Sequence, residues 1–498
     1  MNTDRDKVRL IFGLKVKQLR ASQGLSTYDL AALTGLSPSY LNEIEKGKKY
    51  PKTEKIFAIA KALDTDYDSL VSLKVSKQLE PVVELFNSNI LNELPFDLFG
   101  IEPGYFLEVM ANAPAKLSAF ISTIIEIGRN YDLAVEQFYF SVLRTYQAMH
   151  DTYFEDLEQQ ADLFLAQYPF YTATELPNLL TRVLTEVYKC QVIPYDDATQ
   201  PTLASLRSVF IPEFNKLLIN NRLSSEQTAF TLAREVGYRH LQLANRPLES
   251  SMLAARSFDE VLNNFRASYF SRALLMPKTE LMPILTDFAR QRTWQPNRLL
   301  DAITRFGVTP EMFLLRVMSL LTNGLGLNDL FFLRFDQPNE NQRYVLSKEL
   351  HLSRLHTPHG IDRDEHYCRR QVALTLLNDL RTRQTAGDWN GQPVCQAQIT
   401  TYPRNGNAYF VLSIAKSSPP STANSSINIG LPITNHLRSV LAFLDDPAIS
   451  HTNVGETCER CPIADCSVRA AAPIVLARNE QINRVQEAIE GLRNEAGL

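Results

Sequence analysis

Four short amphipathic segments, each with its own start and stop, fill the first sixty-odd residues of the chain. The segment "STYDLAALTGLS" begins at Ser26, a residue type that caps helices, and ends at Gly35. The segment "SPSYLNEIEKGKK" begins with Ser37 as N-cap and Pro38 at the first helical position, where a missing N–H costs nothing. Helices this short are stable only when their apolar faces pack against one another. The pattern therefore predicts one small helical bundle.

Two of these helices are joined by "TGLS", in which Gly35 provides the backbone freedom that a tight turn requires. The stretch "GLSTYDLAALTGLSPSYLNEIEKGKKYP" resembles the Xre/Cro family of DNA-binding domains. This resemblance implies that the third helix enters the major groove of a double-stranded DNA operator, with lysines nearby on the phosphates. The base-edge residues are then Ser39, Asn42 and Glu43, and the rest of the predicted DNA-binding set is Thr27, Ser37, Tyr40, Lys46, Lys48 and Lys49.

The charge of the chain is divided unevenly between its head and its body. Residues 1–63 carry twelve Lys and Arg against six Asp and Glu, whereas the whole chain has a net charge of −4. A basic module on an acidic body is typical of a nucleic-acid-binding domain joined to something else. The length of 498 residues predicts about two to four domains.

Neither a membrane segment nor a secretion signal is apparent in the sequence. No apolar run approaches the roughly 18–20 residues that a bilayer crossing needs. The N-terminal "MNTDRDKVRL" lacks the apolar core of a signal peptide. We therefore expect a cytoplasmic protein, in which six cysteines are free or metal-bound instead of disulfide-paired.

The second segment of the chain, residues 83–190, is apolar at helical spacing almost throughout, as in "AKLSAFISTIIEIGRNY". It contains no chemical motif. The pattern predicts a helical spacer or dimerisation region.

Residues 200–290 resemble the ImmA/IrrE family of zinc peptidases. Two segments carry the resemblance, "TLAREVGYRHLQL" and "FDEVLNNFRASYFSRALLMP". In that family one helix carries His-Glu-x-x-His and a later helix supplies an acidic third ligand. The glutamate position corresponds to Glu235, but the two histidine positions hold Arg234 and Tyr238, and the third-ligand position holds Asn264. Such a set does not bind zinc. We therefore predict a degenerate zincin-like domain without enzymatic activity.

A helix-turn-helix joined to a degenerate peptidase-like domain resembles the short-chain fatty acyl transcriptional regulators. This resemblance implies a one-component regulator that senses a small anionic metabolite such as an acyl-CoA. A cationic side chain at the former metal position suits an anion, so the predicted ligand residues are Arg234, Tyr238 and Asn264. Because one small module seldom gives useful DNA specificity alone, we expect a homodimer.

Residues 291–498 mix strands and helices. The segment "PVCQAQITTYPRNGNAYFVLSIAKS" alternates and turns at "RNGN", which predicts a hairpin, and "SINIGLPI" predicts a further strand before the helix "TNHLRSVLAFL". The arrangement resembles the GAF-like sensor domains found beside ImmA-type peptidases. It predicts an α+β sensor domain.

Three of the six cysteines lie within nine residues in "GETCERCPIADCSVRAAAP", at Cys458, Cys461 and Cys466. Thiolates at this spacing can share one metal centre, but a structural zinc or a 4Fe–4S cluster usually takes four ligands. The spacing alone does not separate the two metals. The regulator family implies the iron–sulfur cluster, with Cys368 in "DEHYCRRQ" as the fourth ligand. Cys395, His366 and His451 are the competing candidates.

The sequence thus predicts a multidomain protein, mainly α with an α+β C-terminal part. The expected domains are a DNA-binding domain (1–75), a helical region (83–190), a degenerate zincin-like domain (200–290) and a GAF-like metal-binding sensor (291–498). Three other functions stay open: a redox- or iron-sensing repressor without an organic ligand, an ImmA-like metalloprotease, and a phage-type or toxin–antitoxin repressor.

Overall fold

The computed structural model describes residues 3–74, 135–170, 172–196, 198, 200–250, 255–337, 344–352, 365–417 and 423–495. The part of the predicted helical region between 83 and 134 lies outside these residues. The chain divides into two compact units, Met1–Val142 with Arg256–Phe258, and Leu143–Ala255 with Asp259–Leu498.

The first unit contains the predicted bundle of short helices. Its helices are α1 (Thr3–Ser22), α2 (Thr27–Thr34), α3 (Pro38–Glu45), α4 (Thr53–Ala62) and α5 (Tyr67–Val71). The Ser26 hydroxyl accepts the N–H of Asp29, and the Asp29 carboxylate accepts the N–H of Ser26, so α2 begins with a capping box. Gly35 ends α2 at a φ of +69°, a conformation that favours glycine. The predicted turn is therefore formed.

One buried ion pair fixes α1 against α3. The Arg20 guanidinium donates to both carboxylate oxygens of Glu45, at 2.6 and 2.9 Å, and to the carbonyl of Leu25 at 2.7 Å. The apolar core beneath it consists of Phe12, Val16, Leu30, Leu41, Ile44, Ile56, Ile59 and Leu63, with their neighbours.

Further helices and a small sheet follow in chain order. They are α6 (Val135–Met149), α7 (Glu155–Gln167), α8 (Leu176–Arg182), β1 (Gln191–Tyr195), β2 (Ser208–Ile211), β3 (Lys216–Asn220), α9 (Ser225–His240), α10 (Phe258–Leu275), α11 (Lys278–Arg290), α12 (Pro296–Phe306) and α13 (Pro310–Leu325). The sheet order is β1-β3-β2, with β1 parallel and β2 antiparallel to β3. Ser224 caps α9, where its hydroxyl accepts the N–H of Gln227. The described part of the predicted helical region is helical.

A larger sheet forms the C-terminal part of the second unit. Its strands and helices are β4 (Phe331–Gln337), β5 (Val345–His351), α14 (Val372–Ala386), β6 (Val394–Thr401), β7 (Ala408–Ser417), β8 (Asn424–Pro432), α15 (Asn435–Val440), β9 (Ser450–Asn453) and α16 (Ile474–Glu495). The sheet order is β5-β4-β8-β7-β6-β9, and only the β6–β9 pair is parallel. The predicted hairpin joins β6 to β7 and the predicted further strand is β8.

Alternation along the strands separates the two faces of this sheet. Phe331, Leu333 and Phe335 of β4 pack against α14 in one apolar cluster. Arg334 lies between them in sequence and therefore points to the opposite face, where it pairs with Glu311 of α13. The sheet is thus covered by α14 on one face and by α13 on the other. None of the helices in the described part of the chain combines the length and hydropathy that a bilayer crossing requires.

A fully buried ion pair joins α7, α10 and α13 within the second unit. Arg316, only 1% exposed, donates from both terminal nitrogens to the Glu158 carboxylate and from Nε to the carbonyl of Met276 at 3.0 Å. The Tyr269 hydroxyl donates to Glu158 at 2.6 Å. Both carboxylate oxygens of Glu158 and all three guanidinium nitrogens of Arg316 therefore take part in hydrogen bonds.

Replacing Arg316 tests how far this pair supports the second unit. Arg316→Leu leaves the Glu158 charge buried and uncompensated, which should lower the free energy of unfolding by about 3–5 kcal/mol. The matched control is Arg305→Leu, which breaks the exposed pair with Glu280 and should cost less than about 1 kcal/mol. Both tryptophans, Trp294 and Trp389, belong to the second unit, so urea unfolding followed by their fluorescence reports on it. Equal effects of the two substitutions would contradict the expectation.

Candidate functional site

The predicted recognition helix α3 presents a short polar face to solvent. Ser39 and Asn42 are exposed on it, as predicted. Glu43 is half-buried and accepts from Lys49 at 2.7 Å, so its carboxylate is neutralised at this surface. Lys48 is exposed just beyond the end of the helix. The free polar groups that the helix itself offers are therefore those of Ser39 and Asn42.

Other members of the predicted DNA-binding set support the fold. The Ser37 hydroxyl accepts the N–H of Tyr40 and caps α3. The Tyr40 ring packs on the core, with the Lys55 ammonium 4.1 Å from its centre. The sequence analysis did not include Lys55, because nothing in the helical spacing of α4 indicates a contact with Tyr40. Thr27 begins α2 and Lys46 follows α3, and both are half-buried.

In the zincin-like domain the would-be catalytic carboxylate is held by two arginines. Glu235 is 2% exposed and accepts from Arg246 at 2.9 and 2.5 Å and from Arg239 at 2.7 Å. The Arg246 guanidinium also lies 3.8 Å from the centre of the Tyr238 ring and 4.3 Å from that of Phe210. A carboxylate enclosed in this way is a structural anion. Arg246 lies outside the His-Glu-x-x-His window, so motif reading alone did not find it.

The three predicted ligand residues do not form one open pocket. The Tyr238 hydroxyl donates to the Asn264 side-chain oxygen at 2.9 Å, so these two satisfy each other. Arg234 contacts the Ser208 hydroxyl at 3.5 Å, the limit for a hydrogen bond. The cavity between Arg234 and Tyr238 measures about 10 Å³, which is room for about one water molecule. As its side chains stand, this cleft is closed.

Cys368 and the C-terminal cysteines are brought together by paired backbone segments. The N–H of Cys458 donates to the carbonyl of His366 at 2.8 Å, and the N–H of Cys368 donates to the carbonyl of Glu456 at 3.3 Å. The N–H of Gly455 donates to the Cys368 sulfur at 3.3 Å. A Cβ on Gly455 would lie 2.8 Å from the Cys461 sulfur, so only glycine fits between the two thiols.

Charged groups and backbone donors surround these sulfurs. The N–H of Ala470 donates to the Cys458 sulfur at 3.3 Å. Arg469 donates to the carbonyls of Cys458 and Cys461, at 3.0 and 3.4 Å. Burial raises the pKa of the Cys368 thiol, and the neighbouring Cys461 and Cys458 raise it further. The Cys368 thiol is therefore harder to ionise than a solvent-exposed one.

The other candidate metal ligands differ from these three cysteines in position, in hydrogen bonding or in exposure. Gln398 of β6 faces α14, because its side-chain oxygen accepts the N–H of Val372 at the start of that helix. Cys395 lies three residues earlier in the same strand, so its side chain points to the opposite face of the sheet. Burial alone raises its pKa, with no contribution from another thiol. The His366 ring is bonded to Glu459 at 2.8 Å, and His451 is exposed on β9. Cys466 is half-buried.

The cysteine cluster has the donor chemistry of a thiolate metal centre. Three buried thiols lie close together, two of them accept backbone N–H groups, and a guanidinium lies beside them, as second-shell groups do in such centres. Across the residues that the structure describes, no three Cys, His, Asp or Glu side chains already have the arrangement that holds a metal.

Two separate segments of the chain match known protein families. The family profile "Helix-turn-helix" matches residues 16–70, and the profile "IrrE N-terminal-like domain" matches residues 195–318. The chain carries both domains. The predicted Xre-type head and ImmA/IrrE-like domain are thereby confirmed. The second match extends through α13, so the helices before the large sheet are included in it.

Named relatives are distant. The "HTH-type transcriptional regulator RamB" of Mycobacterium tuberculosis is 23% identical over 296 residues, which are 55% of this chain and 59% of the relative. The chain thus spans less than two thirds of that relative. The "Propionyl-CoA carboxylase regulator" of Cereibacter sphaeroides is 22% identical over 490 residues, 94% of this chain and 95% of the relative. A solved Mycobacterium tuberculosis transcriptional regulator is 18% identical, overlaps 67% of this chain and 93% of its own, and has a TM-score of 0.47.

Proposed function

We propose that this chain is a sequence-specific DNA-binding transcriptional regulator that acts in the cytoplasm. The observation that carries the proposal is the exposed face of α3, where Ser39 and Asn42 are free for base edges and Lys48 stands beside them. The match of this unit to the helix-turn-helix family supports it. The two relatives described above are both named as regulators.

Two substitutions distinguish base-specific recognition of an operator from sequence-independent affinity for duplex DNA. Against an operator selected from random duplexes, Asn42→Ala should weaken specific binding by about 1–3 kcal/mol, because it removes a base contact. Lys48→Ala should weaken binding to all duplexes alike and reduce the salt slope by about one. The exposed Lys61→Ala, outside the predicted interface, is the control. Fluorescence anisotropy at several salt concentrations measures all three, and unchanged specificity in Asn42→Ala would contradict this assignment.

We propose that the IrrE-like domain has no peptidase activity. Its ligand positions hold Arg234, Tyr238 and Asn264, none of which is a zinc ligand at neutral pH. The closed ion-pair cage around Glu235 supports the same conclusion, since a general base must be free to accept a proton.

We propose that the C-terminal part is a GAF-like sensor in which Cys368, Cys458, Cys461 and Cys466 hold a 4Fe–4S cluster, with zinc as the alternative. The close approach of Cys368 to Cys458 and Cys461, and the N–H donors on two of the sulfurs, support this ligand set. When bound, the cluster would supply a redox- or iron-dependent charge at the junction of the segments before α14 and α16.

Metal analysis of anaerobically purified protein tests the ligand set. We expect broad visible absorption and about four irons per chain. Cys368→Ala should lose the metal, whereas the matched Cys395→Ala should keep it, because Cys395 lies across the sheet. A colourless protein with one zinc would assign the alternative metal. Retention of metal in Cys368→Ala together with its loss in Cys395→Ala would refute the proposed set.

We propose that the regulator responds to a short-chain acyl-CoA or a related anion, with Arg234 contributing positive charge. The name of the propionyl-CoA carboxylase regulator supports an acyl-CoA link. Propionyl-CoA should raise the melting temperature of the second unit, as any ligand specific for the native state does. Arg234→Gln should diminish that rise, and the exposed Arg305→Gln should not. No rise with wild-type protein would favour the redox-sensing repressor without an organic ligand.

We propose that the chain is a homodimer and that α16 contributes to the interface. This helix of 22 residues is exposed throughout its second half. Ile482, Val485, Ile489 and Leu492 are 46, 54, 52 and 66% exposed and follow the a-d-a-d spacing of a coiled coil. The flanking Gln481, Gln486 and Ala488 are uncharged, so a second copy meets no repulsion there.

A charge in this seam tests the dimer. Ile489→Glu should shift the protein toward monomer, because the carboxylate would be desolvated between the two helices. The matched control is Asn483→Glu, which adds the same charge outside the seam. Sedimentation equilibrium measures the mass, and an unchanged dimer in Ile489→Glu, or a monomeric wild type, would count against the proposal.

A further inference from the structure

The three buried cysteines of the cluster lie on two segments of the chain that are far apart in sequence. Cys368 ends the first segment, residues 365–368, and the second segment, residues 455–461, contains Cys458 and Cys461. The backbones of the two segments pair through an isolated antiparallel bridge. Strand pairing this short is at best marginally stable by itself. Side-chain contacts are therefore needed to keep the two segments together.

Glu365 of the first segment bonds to the second segment. Its carboxylate accepts from the Thr457 hydroxyl at 2.6 Å and from Nε and Nη2 of Arg460 at 2.8 and 2.5 Å. Glu365 is 9% exposed and Thr457 is 0% exposed, so these bonds lie away from bulk water. Hydrogen bonds to a charged group are stronger in such surroundings than in water. Glu365 therefore fixes the first segment to residues on either side of Cys458.

Glu459 makes the reciprocal contact from the second segment. It lies between Cys458 and Cys461 in the sequence, is 6% exposed, and accepts the backbone N–H of His366 at 3.0 Å. Its other carboxylate oxygen lies 2.8 Å from Nδ1 of the His366 ring. Each segment thus contributes one buried carboxylate that bonds to the other segment, and the bonded residues are 92 to 95 positions apart.

Both oxygens of each carboxylate take part in hydrogen bonds across this junction. Groups bonded in this way orient the ligands of a metal instead of binding it themselves. We propose that Glu365 and Glu459 are positioning residues, which hold Cys368 beside Cys458 and Cys461 before any metal binds. This inference rests on the proposed thiolate metal centre and names the residues that assemble it.

The two carboxylates change what a metal has to accomplish when it binds. Without them, the metal would have to order two segments that are far apart in the chain, which has an entropic cost. Contacts that already exist in the folded protein remove that cost, and a preorganised site holds its ligand more tightly. Loss of Glu365 should therefore loosen the metal-free thiols and, as a consequence, weaken metal retention.

Alkylation of the metal-free full chain by N-ethylmaleimide tests the positioning role. After anaerobic treatment with a chelator and a reductant, Cys368, Cys458 and Cys461 should react slowly in wild-type protein, and peptide mass spectrometry measures each rate. Cys395 is the internal reference, because it is buried in β6 and reacts only when the sheet opens. Glu365→Ala should raise the ratio of the Cys368 rate to the Cys395 rate by at least about tenfold. A general loss of stability would raise both rates and leave the ratio unchanged.

The matched control is Glu235→Ala. It removes an equally buried carboxylate, paired with two arginines of the IrrE-like domain, and should leave the ratio at its wild-type value. If Glu365→Ala does not fold, Thr457→Val replaces it, because valine keeps the shape of the side chain while one hydrogen bond to Glu365 is lost. A smaller rise in the ratio is then expected. An unchanged ratio in the folded variant would overturn the proposal, as would wild-type thiols that react as fast in native buffer as in urea.

Metal retention separates this inference from the metal centre itself. In protein purified anaerobically with its metal, Glu365→Ala should lose iron or zinc to a chelator at least about tenfold faster than wild type, and Glu235→Ala should not. A wild type that holds no metal, but whose thiols are protected and whose ratio rises in Glu365→Ala, would support the positioning role and count only against the metal centre. A metal-bound wild type whose ratio and metal loss are both unaffected by Glu365→Ala would keep the centre and refute the positioning role.

Discussion

The ion pair between Arg316 and Glu158 is the contact on which the second unit depends most. Its two residues are 158 positions apart, and it joins α7 to α13 where both side chains are buried. Because a single buried charge is far more costly than a buried pair, separating the two helices that carry these side chains is unfavourable. α13 also covers one face of the large sheet, where its Glu311 pairs with Arg334 of β4.

In the IrrE-like domain, ion pairs and hydrogen bonds engage the side chains at the positions where the sequence analysis sought a peptidase motif. Glu235 persists at the position of a general base, yet Arg239 and Arg246 neutralise it, and Tyr238 is bonded to Asn264. These contacts rigidify a former cleft. Arg234 contacts the Ser208 hydroxyl at 3.5 Å.

The cysteine region shows how a distant segment completes a local motif. Backbone pairing between His366–Cys368 and Glu456–Cys458 brings one thiol to a cluster that is otherwise contained within nine residues. The absence of a Cβ at Gly455 lets the Cys368 and Cys461 sulfurs approach from either side. Cys395, which is closer in sequence to the terminal cluster than Cys368, lies on the other face of the sheet, because side chains alternate along β6.

Local chemistry in the sequence determined the helix-turn-helix, since the caps at Ser26 and Ser37 and the turn at Gly35 act within a few residues. It also determined the hairpin between β6 and β7, which depends on residue type and spacing. Sequence alone did not indicate that Tyr40 packs on the core or that Arg246 pairs with Glu235. Those outcomes depend on contacts between residues far apart in the chain, and only tertiary packing decides which long side chains meet and which charges remain unpaired.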